Sequence, residues 1–265
     1  MRASSRLAIL GLGIGACGGA PEPRTAGRAA EQPALARRPA VTSFALNDDD
    51  IEHIAKDVAV ARQLSTERPI AIARVTHDQF IAQFRATTGA ADPGREARES
   101  AFVAAFDFAP KTPDANVATK TEVEEEELGG FYDVKQDKVF VPDMKPAGKE
   151  KLLQNSAIIA HEVEHALQAQ HFGKLAEPKS SDQAIAHLAL LEGDAQAAMG
   201  AYMGFDAGAP VGRTLRRLVE ATKRVPIAAI AHGTGTHAID RALARTRERL
   251  EFPYVDGMLL SLIHI

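Results

Sequence analysis

The sequence predicts an α+β domain, mainly helical, with a small β-hairpin set just ahead of its longest helices. Three observations carry this expectation. Apolar residues recur at helical intervals over two long stretches, Lys149 to Phe172 and Ser181 to Met203. Between Leu128 and Pro142 the pattern changes to short β-branched and aromatic runs around a polar turn. From Phe44 onward roughly 200 residues remain, enough for one substantial core.

In chain order, Asn47 or Asp48 caps a first helix through Leu64, with Ile51, Ile54, Ala55, Val58 and Ala61 on its apolar side. Pro69 to Val75 is a short apolar strand. Thr76 with Gln79 makes a capping box for a helix through Arg85. A further helix is expected from Arg95 to Phe106, and Glu124 to Glu127 read as a solvated strand or loop edge. The hairpin pairs Gly129-Gly130-Phe131-Tyr132-Asp133-Val134 with Val139-Phe140-Val141 across a Gln136-Asp137-Lys138 turn. The helix from Lys149 carries Leu152, Leu153, Ile158, Ile159, Val163, Ala166 and Leu167, and Gly173 is its stop signal. Ser181 and Asp182 are N-cap residues for the next helix, whose buried stripe is Ile185, Leu188, Ala189, Leu191, Ala195 and Met199. Helices around Thr214 to Thr222 and Ile239 to Leu250 complete the domain. His232 and His237 fall in a Gly/Thr-rich loop without ligand spacing and read as ordinary loop residues.

The most informative residues are His161-Glu162-Val163-Glu164-His165. Two histidines four apart, with a glutamate after the first, form the HExxH pattern of zinc hydrolases. Positions i and i+4 share a helix face, so both imidazoles can bind one ion. Glu162 sits beside that face, where its carboxylate can take a proton from a water on the metal without ligating. Apolar neighbours Ile158, Ile159, Ala160, Val163, Ala166 and Leu167 turn the motif inward, where imidazoles need partners. The bland alternative is a His/Glu-bearing face that binds nothing.

A catalytic zinc site needs a third protein ligand and one open position. The chain offers two candidates. His171 lies six residues after His165, the metzincin spacing, but Gln168 stands where that pattern has its turning glycine. On an unbroken helix His171 points away from the shared face, and a helix-end histidine suits the last carbonyls. Glu192 is the better candidate. It lies among leucines and alanines in Leu190-Leu191-Glu192-Gly193-Asp194-Ala195, where a carboxylate is costly unless paired or bound to metal. Gly193 points to close packing against a neighbouring helix. A structural salt bridge is the alternative for Glu192.

The arrangement resembles the gluzincin metallopeptidases, in which a second helix supplies the liganding glutamate. More narrowly, His161 to Phe172 with Leu191-Glu-Gly-Asp-Ala195 resembles a group of largely uncharacterised bacterial HExxH lipoproteins, over about Gly129 to Tyr254. The resemblance implies a zincin-like metallopeptidase domain in which the hairpin strand walls a substrate cleft. It implies Zn2+ held by His161, His165 and Glu192, with Glu162 as general base acting on a peptide or protein substrate. Familiar gluzincins place an aspartate four residues after the liganding glutamate; here that residue is Gln196, and Asp194 is the candidate to orient a ligand histidine. Tyr132 and Tyr254 are the candidate oxyanion stabilisers. The rival expectation is a non-catalytic envelope lipoprotein with a structural or vestigial metal site.

Location is read from the N-terminus. Arg2 and Arg6 precede a short apolar stretch, Leu7 to Ile14, which reads as a secretory signal over residues 1–16. Ile14-Gly15-Ala16-Cys17 resembles a lipobox, so Cys17 is expected to carry lipid and anchor the chain to the bacterial envelope membrane, facing the periplasm or on the outer membrane. Cys17 is the single cysteine, which excludes an internal disulfide and a multi-thiolate metal site. Residues 17–43, rich in Pro, Ala, Gly and Arg, read as a flexible tether before the domain at 44–265. Losing Arg2 and Arg6 takes the formal charge from −4 to −6, a balance that argues against nucleic acid as partner. The apolar, uncapped ending Leu260-Ser261-Leu262-Ile263-His264-Ile265 suggests a truncated frame whose last six residues are not native, with apolar surface exposed near Met258 to Leu260; the alternative is a genuine C-terminal strand or helix turn packed on the domain.

Overall fold

The computed structural model describes residues 46–88, 129–143, 149–173, 175–176, 178–224 and 244–263. The expected leader, Cys17, the tether, the helix from Arg95, the acidic run and the His232/His237 loop lie outside them. The described chain is mainly helical with a small three-stranded sheet, as the sequence pattern predicts.

Helix α1 (Asp48–Arg62) starts at a reciprocal cap. The Asn47 side chain accepts from the Asp50 N–H and Asp50 from the Asn47 N–H, both at 2.9 Å. Such a cap is worth about 1 kcal/mol. Asp48, Asp49 and Asp50 in the first turn and Arg62 in the last complement the helix dipole. The helix ends at Gln63, which takes a left-handed φ of 56°. Strand β1 (Ala71–Val75) and helix α2 (His77–Thr88) follow. The Thr76–Gln79 box is present, at 3.0 and 3.3 Å, and α2 runs three residues beyond Arg85.

Strands β2 (Phe131–Asp133) and β3 (Lys138–Pro142) form the expected hairpin; β1 joins β3 in parallel, giving the order β1-β3-β2. Alternation along the strands divides the side chains between two cores. Phe131 pairs with Phe140 and meets Phe80 and Phe84 of α2, with Phe131 ring separations of 5.2, 5.3 and 5.7 Å. Tyr132, Val139 and Val141 join Ile54, Val58, Ile159, Val163 and Leu167 in the main core. The turn occupies Val134–Asp137 rather than Gln136–Lys138. Asp133 explains the shift. Its carboxylate accepts from the Lys135 and Gln136 N–H groups at 2.8 and 3.2 Å, while Asp137 supplies the left-handed φ of 51°. Burial would raise the Asp133 pKa, but these bonds and one from the Thr87 hydroxyl outweigh it and hold the group below its usual range.

Helix α3 (Lys149–His171) carries the HExxH motif, and α4 (Ser181–Asp206) carries Glu192. The α4 cap is Ser180, one residue before the expected Ser181; its hydroxyl accepts from the Gln183 N–H at 3.1 Å. Ile185, Leu188 and Leu191 are only partly buried, and the continuous buried run begins later, around Glu192 and Ala195 to Met199. Helix α5 (Val211–Arg224) spans the expected Thr214–Thr222 with extra turns.

Helix α6 (Ala244–Ile263) departs most from expectation, because it continues past Leu250 with Pro253 inside it. An interior proline removes a hydrogen bond and costs about 3 kcal/mol. Pro253, Tyr254, Val255 and Met258 are buried, and the main packing partner of α6 is α4. A fully buried side chain of this size contributes about 1.5–3 kcal/mol, so a few of them outweigh the proline. Met258 is therefore covered, not exposed, whereas Leu260 is 47% exposed. Where α4 and α6 cross, Gly193 lies against Gly257, and a Cβ at either would overlap the other helix's backbone. Gly193 does mark a close helix contact, made with α6.

Candidate metal centre

Four-residue spacing on α3 sets His161 and His165 side by side, ring centroids 4.8 Å apart. Glu192 arrives from α4. Its Oε2 lies 3.1 Å from His161 Nε2 and 3.7 Å from His165 Nε2. One ligand atom from each residue falls within 4.8 Å of the others, so the buried His161–His165–Glu192 group could hold a metal ion.

Charge balance provides a test of fit. Burial drives the pKa of both histidines down to about 4, so neither supplies a positive charge near neutrality. Glu162 and Glu192 have no exposed surface. Burial raises the pKa of both, and the Glu192 carboxylate adds to the effect at Glu162. The Tyr132 backbone N–H opposes the shift at Glu162 without closing a well-formed hydrogen bond. Arg62, the cation paired nearby, is committed to Glu164 and Asp194. Both Glu162 oxygens, Glu192 Oε1 and His165 Nε2 have no hydrogen-bond partner among the described residues. Two buried carboxylates and an imidazole nitrogen without a partner are costly, and a divalent cation would satisfy them. The donor set fits such an ion.

The surroundings fix His165 more closely than the sequence suggested. Its Nδ1 meets Gln168 Oε1 at 2.9 Å. The Gln168 amide nitrogen donates to the Leu191 carbonyl and to Asp194 Oδ2, each at 3.0 Å. Asp194 therefore reaches His165 through Gln168 rather than directly. Arg62 donates through Nε to Glu164 Oε1 and through Nη2 to Asp194 Oδ2, both at 2.8 Å. Burial raises the Glu164 pKa to about 8 even against the pull of Arg62, while Arg62 stays charged. Beside Glu162, Gly130 matters for space: a Cβ there would come within 3.0 Å of the Glu162 Cγ.

The other expected site residues separate. Tyr254 comes to the centre, its ring 6.2 Å from His161 and its hydroxyl opposing the rise in the Glu192 pKa. The Tyr132 hydroxyl instead donates to Asp137 at 2.6 Å, in the hairpin turn, so only its backbone faces Glu162. Tyr132 is thus not placed as an oxyanion donor. His171 bonds the Ser65 carbonyl at 2.6 Å and ties the end of α3 to the loop after α1, away from the ligand group. Gln196, one turn after Glu192, is buried with both amide atoms unpartnered among the described residues. Sequence reasoning missed Arg62 and the positive role of Gln168; Arg62 carried the signal of a helix-end cation and nothing more.

No family model matches the chain, and neither a curated protein nor a solved structure matches it. The functional assignment therefore rests on the site.

Proposed function

We propose that this protein is a zinc-dependent peptidase with a zincin-like domain, held at the bacterial envelope by lipid on Cys17. The observation that carries this is the buried Glu162 carboxylate, unpartnered beside a three-ligand group. A purely structural ion needs no extra buried acid, and a carboxylate kept without a partner is expected where chemistry uses it. Two imidazoles and a carboxylate suit zinc, and they match the ligand set of hydrolytic zinc sites. When bound, zinc polarises a substrate carbonyl and makes water a stronger nucleophile.

This chain's own residues supply the rest. His161 and His165 would hold the ion, and Gln168 leaves the Nε2 of His165 free by engaging Nδ1. Glu192 would be the third ligand, with the Tyr254 ring packed beside His161. Glu162 accepts the proton of the attacking water and passes it to the leaving amine. Its backbone neighbours Gly130 and Tyr132 keep it close-packed.

One observation favours a second function, an envelope lipoprotein with a structural ion. His161, Glu162 and Glu192 have no exposed surface, so a substrate reaches them only if covering segments move aside. Hydrolysis of casein or a peptide library by zinc-loaded protein, abolished by a chelator, supports the peptidase. Stoichiometric zinc with no hydrolysis, and no difference on changing Glu162, supports the structural ion.

Anchoring has its own test. Cys17→Ser should move the full chain from the membrane fraction to the soluble fraction while leaving the domain folded. If parent and variant both fractionate as soluble proteins, Cys17 is not lipidated.

A further inference from the structure

We propose that Arg62, at the end of α1, is a positioning residue that sets the metal-ready form of His165 from two side chains away. The inference rests on the metal assignment above. Gln168 can present either its oxygen or its nitrogen to His165. Its other amide atom lies against two acceptors, the Leu191 carbonyl and Asp194 Oδ2, each at 3.0 Å. A carbonyl and a carboxylate only accept, so the Gln168 nitrogen faces them and its oxygen faces His165 at 2.9 Å. His165 Nδ1 is then the proton-bearing nitrogen, and Nε2 keeps its lone pair toward Glu192 at 3.7 Å. Metal ligation needs that tautomer.

Arg62 holds the far end of this chain. Its Nη2 donates to the same Asp194 Oδ2 at 2.8 Å, while its Nε is tied to the fully buried Glu164 at 2.8 Å. Glu164 lies on α3, one residue before His165, and Asp194 lies on α4, two residues after Glu192. The planar guanidinium thus spans the two ligand-bearing helices from a third, and it fixes the carboxylate that orients Gln168. Lysine has one donor centre and cannot reproduce this bridge.

The test is zinc affinity of the full chain, by competition with a chromophoric chelator, alongside thermal unfolding. Removing Arg62 alone leaves Glu164 buried and unpaired, so the working variant is Arg62→Met with Glu164→Gln, checked for fold by circular dichroism. Zinc affinity should fall about 10–100-fold, the range for lost orienting partners of ligand histidines. Arg62→Lys should recover only part of it. In a Gln168→Met background, the same Arg62/Glu164 change should alter zinc affinity no further, since its route to His165 is already cut. A folded Arg62→Met/Glu164→Gln protein with parental zinc affinity overturns the inference, as does an undiminished effect in the Gln168→Met background. A parent protein that takes up no zinc overturns the metal assignment itself and removes the inference with it.

Discussion

Glu162→Gln should keep the fold and bind zinc, yet lose peptide hydrolysis by about 10²–10⁴-fold, the usual contribution of a positioned general base. The amide matches the carboxylate in shape but cannot accept the water's proton. It is also neutral, as burial favours for the carboxyl itself when metal is absent. Burial and the nearby Glu192 push the Glu162 pKa well up. The variant should therefore be no less stable than the parent when metal is removed. That combination, catalytic loss without loss of stability, separates a functional carboxylate from a structural one. Equal hydrolysis by parent and variant would remove Glu162 from the mechanism. A marked fall in apo stability would assign it a structural role.

The second large effect concerns the helix crossing behind the site. Gly193→Ala should destabilise the domain by up to about 2 kcal/mol, although alanine is the better helix former. The propensity gain is about 1 kcal/mol. Against it, the new methyl would occupy the space of the Gly257 carbonyl, and backbone cannot turn aside as a side chain can. Overpacking of this kind costs about 1–3 kcal/mol. Gly257→Ala should behave alike, since its Cβ would overlap the Ala189 carbonyl. Glu192 adjoins Gly193, and Tyr254 lies one turn before Gly257, so separation of the helices should also weaken zinc binding. Urea denaturation of the two variants measures this. An alanine variant as stable as the parent would show that α4 and α6 do not cross there.

The candidate metal ligands were legible because their signals are local. A four-residue histidine spacing needs only a helix to become a site, and a glutamate among leucines needs only burial to require a partner. The α1 and α2 caps were legible for the same reason. The Ser180 cap and the early hairpin turn each shifted by a residue or two, because the Ser180 hydroxyl takes the Gln183 N–H and the Asp133 carboxylate takes the Lys135 N–H. What was not legible depended on distant pairing. Gln168 looked like a departure from a glycine pattern, and its use appears only once Leu191 and Asp194 stand opposite it. Arg62 meets Glu164 across 102 residues, which no local pattern records. The last helix was expected to end at Leu250, and burial against α4 carries α6 on through Pro253. Tyr132 and Tyr254 looked equivalent in sequence; the hairpin turn claims the Tyr132 hydroxyl, while the Tyr254 ring comes to lie beside His161.

Anomalous diffraction at the zinc edge, from crystals of the zinc-loaded protein, tests the central claim most directly. The expected result is one peak bounded by His161 Nε2, His165 Nε2 and a Glu192 oxygen, at about 2.0–2.2 Å from each, with Glu162 outside bonding range. A peak held by His171 in place of Glu192, or crystals with no zinc between the two histidines, would contradict it.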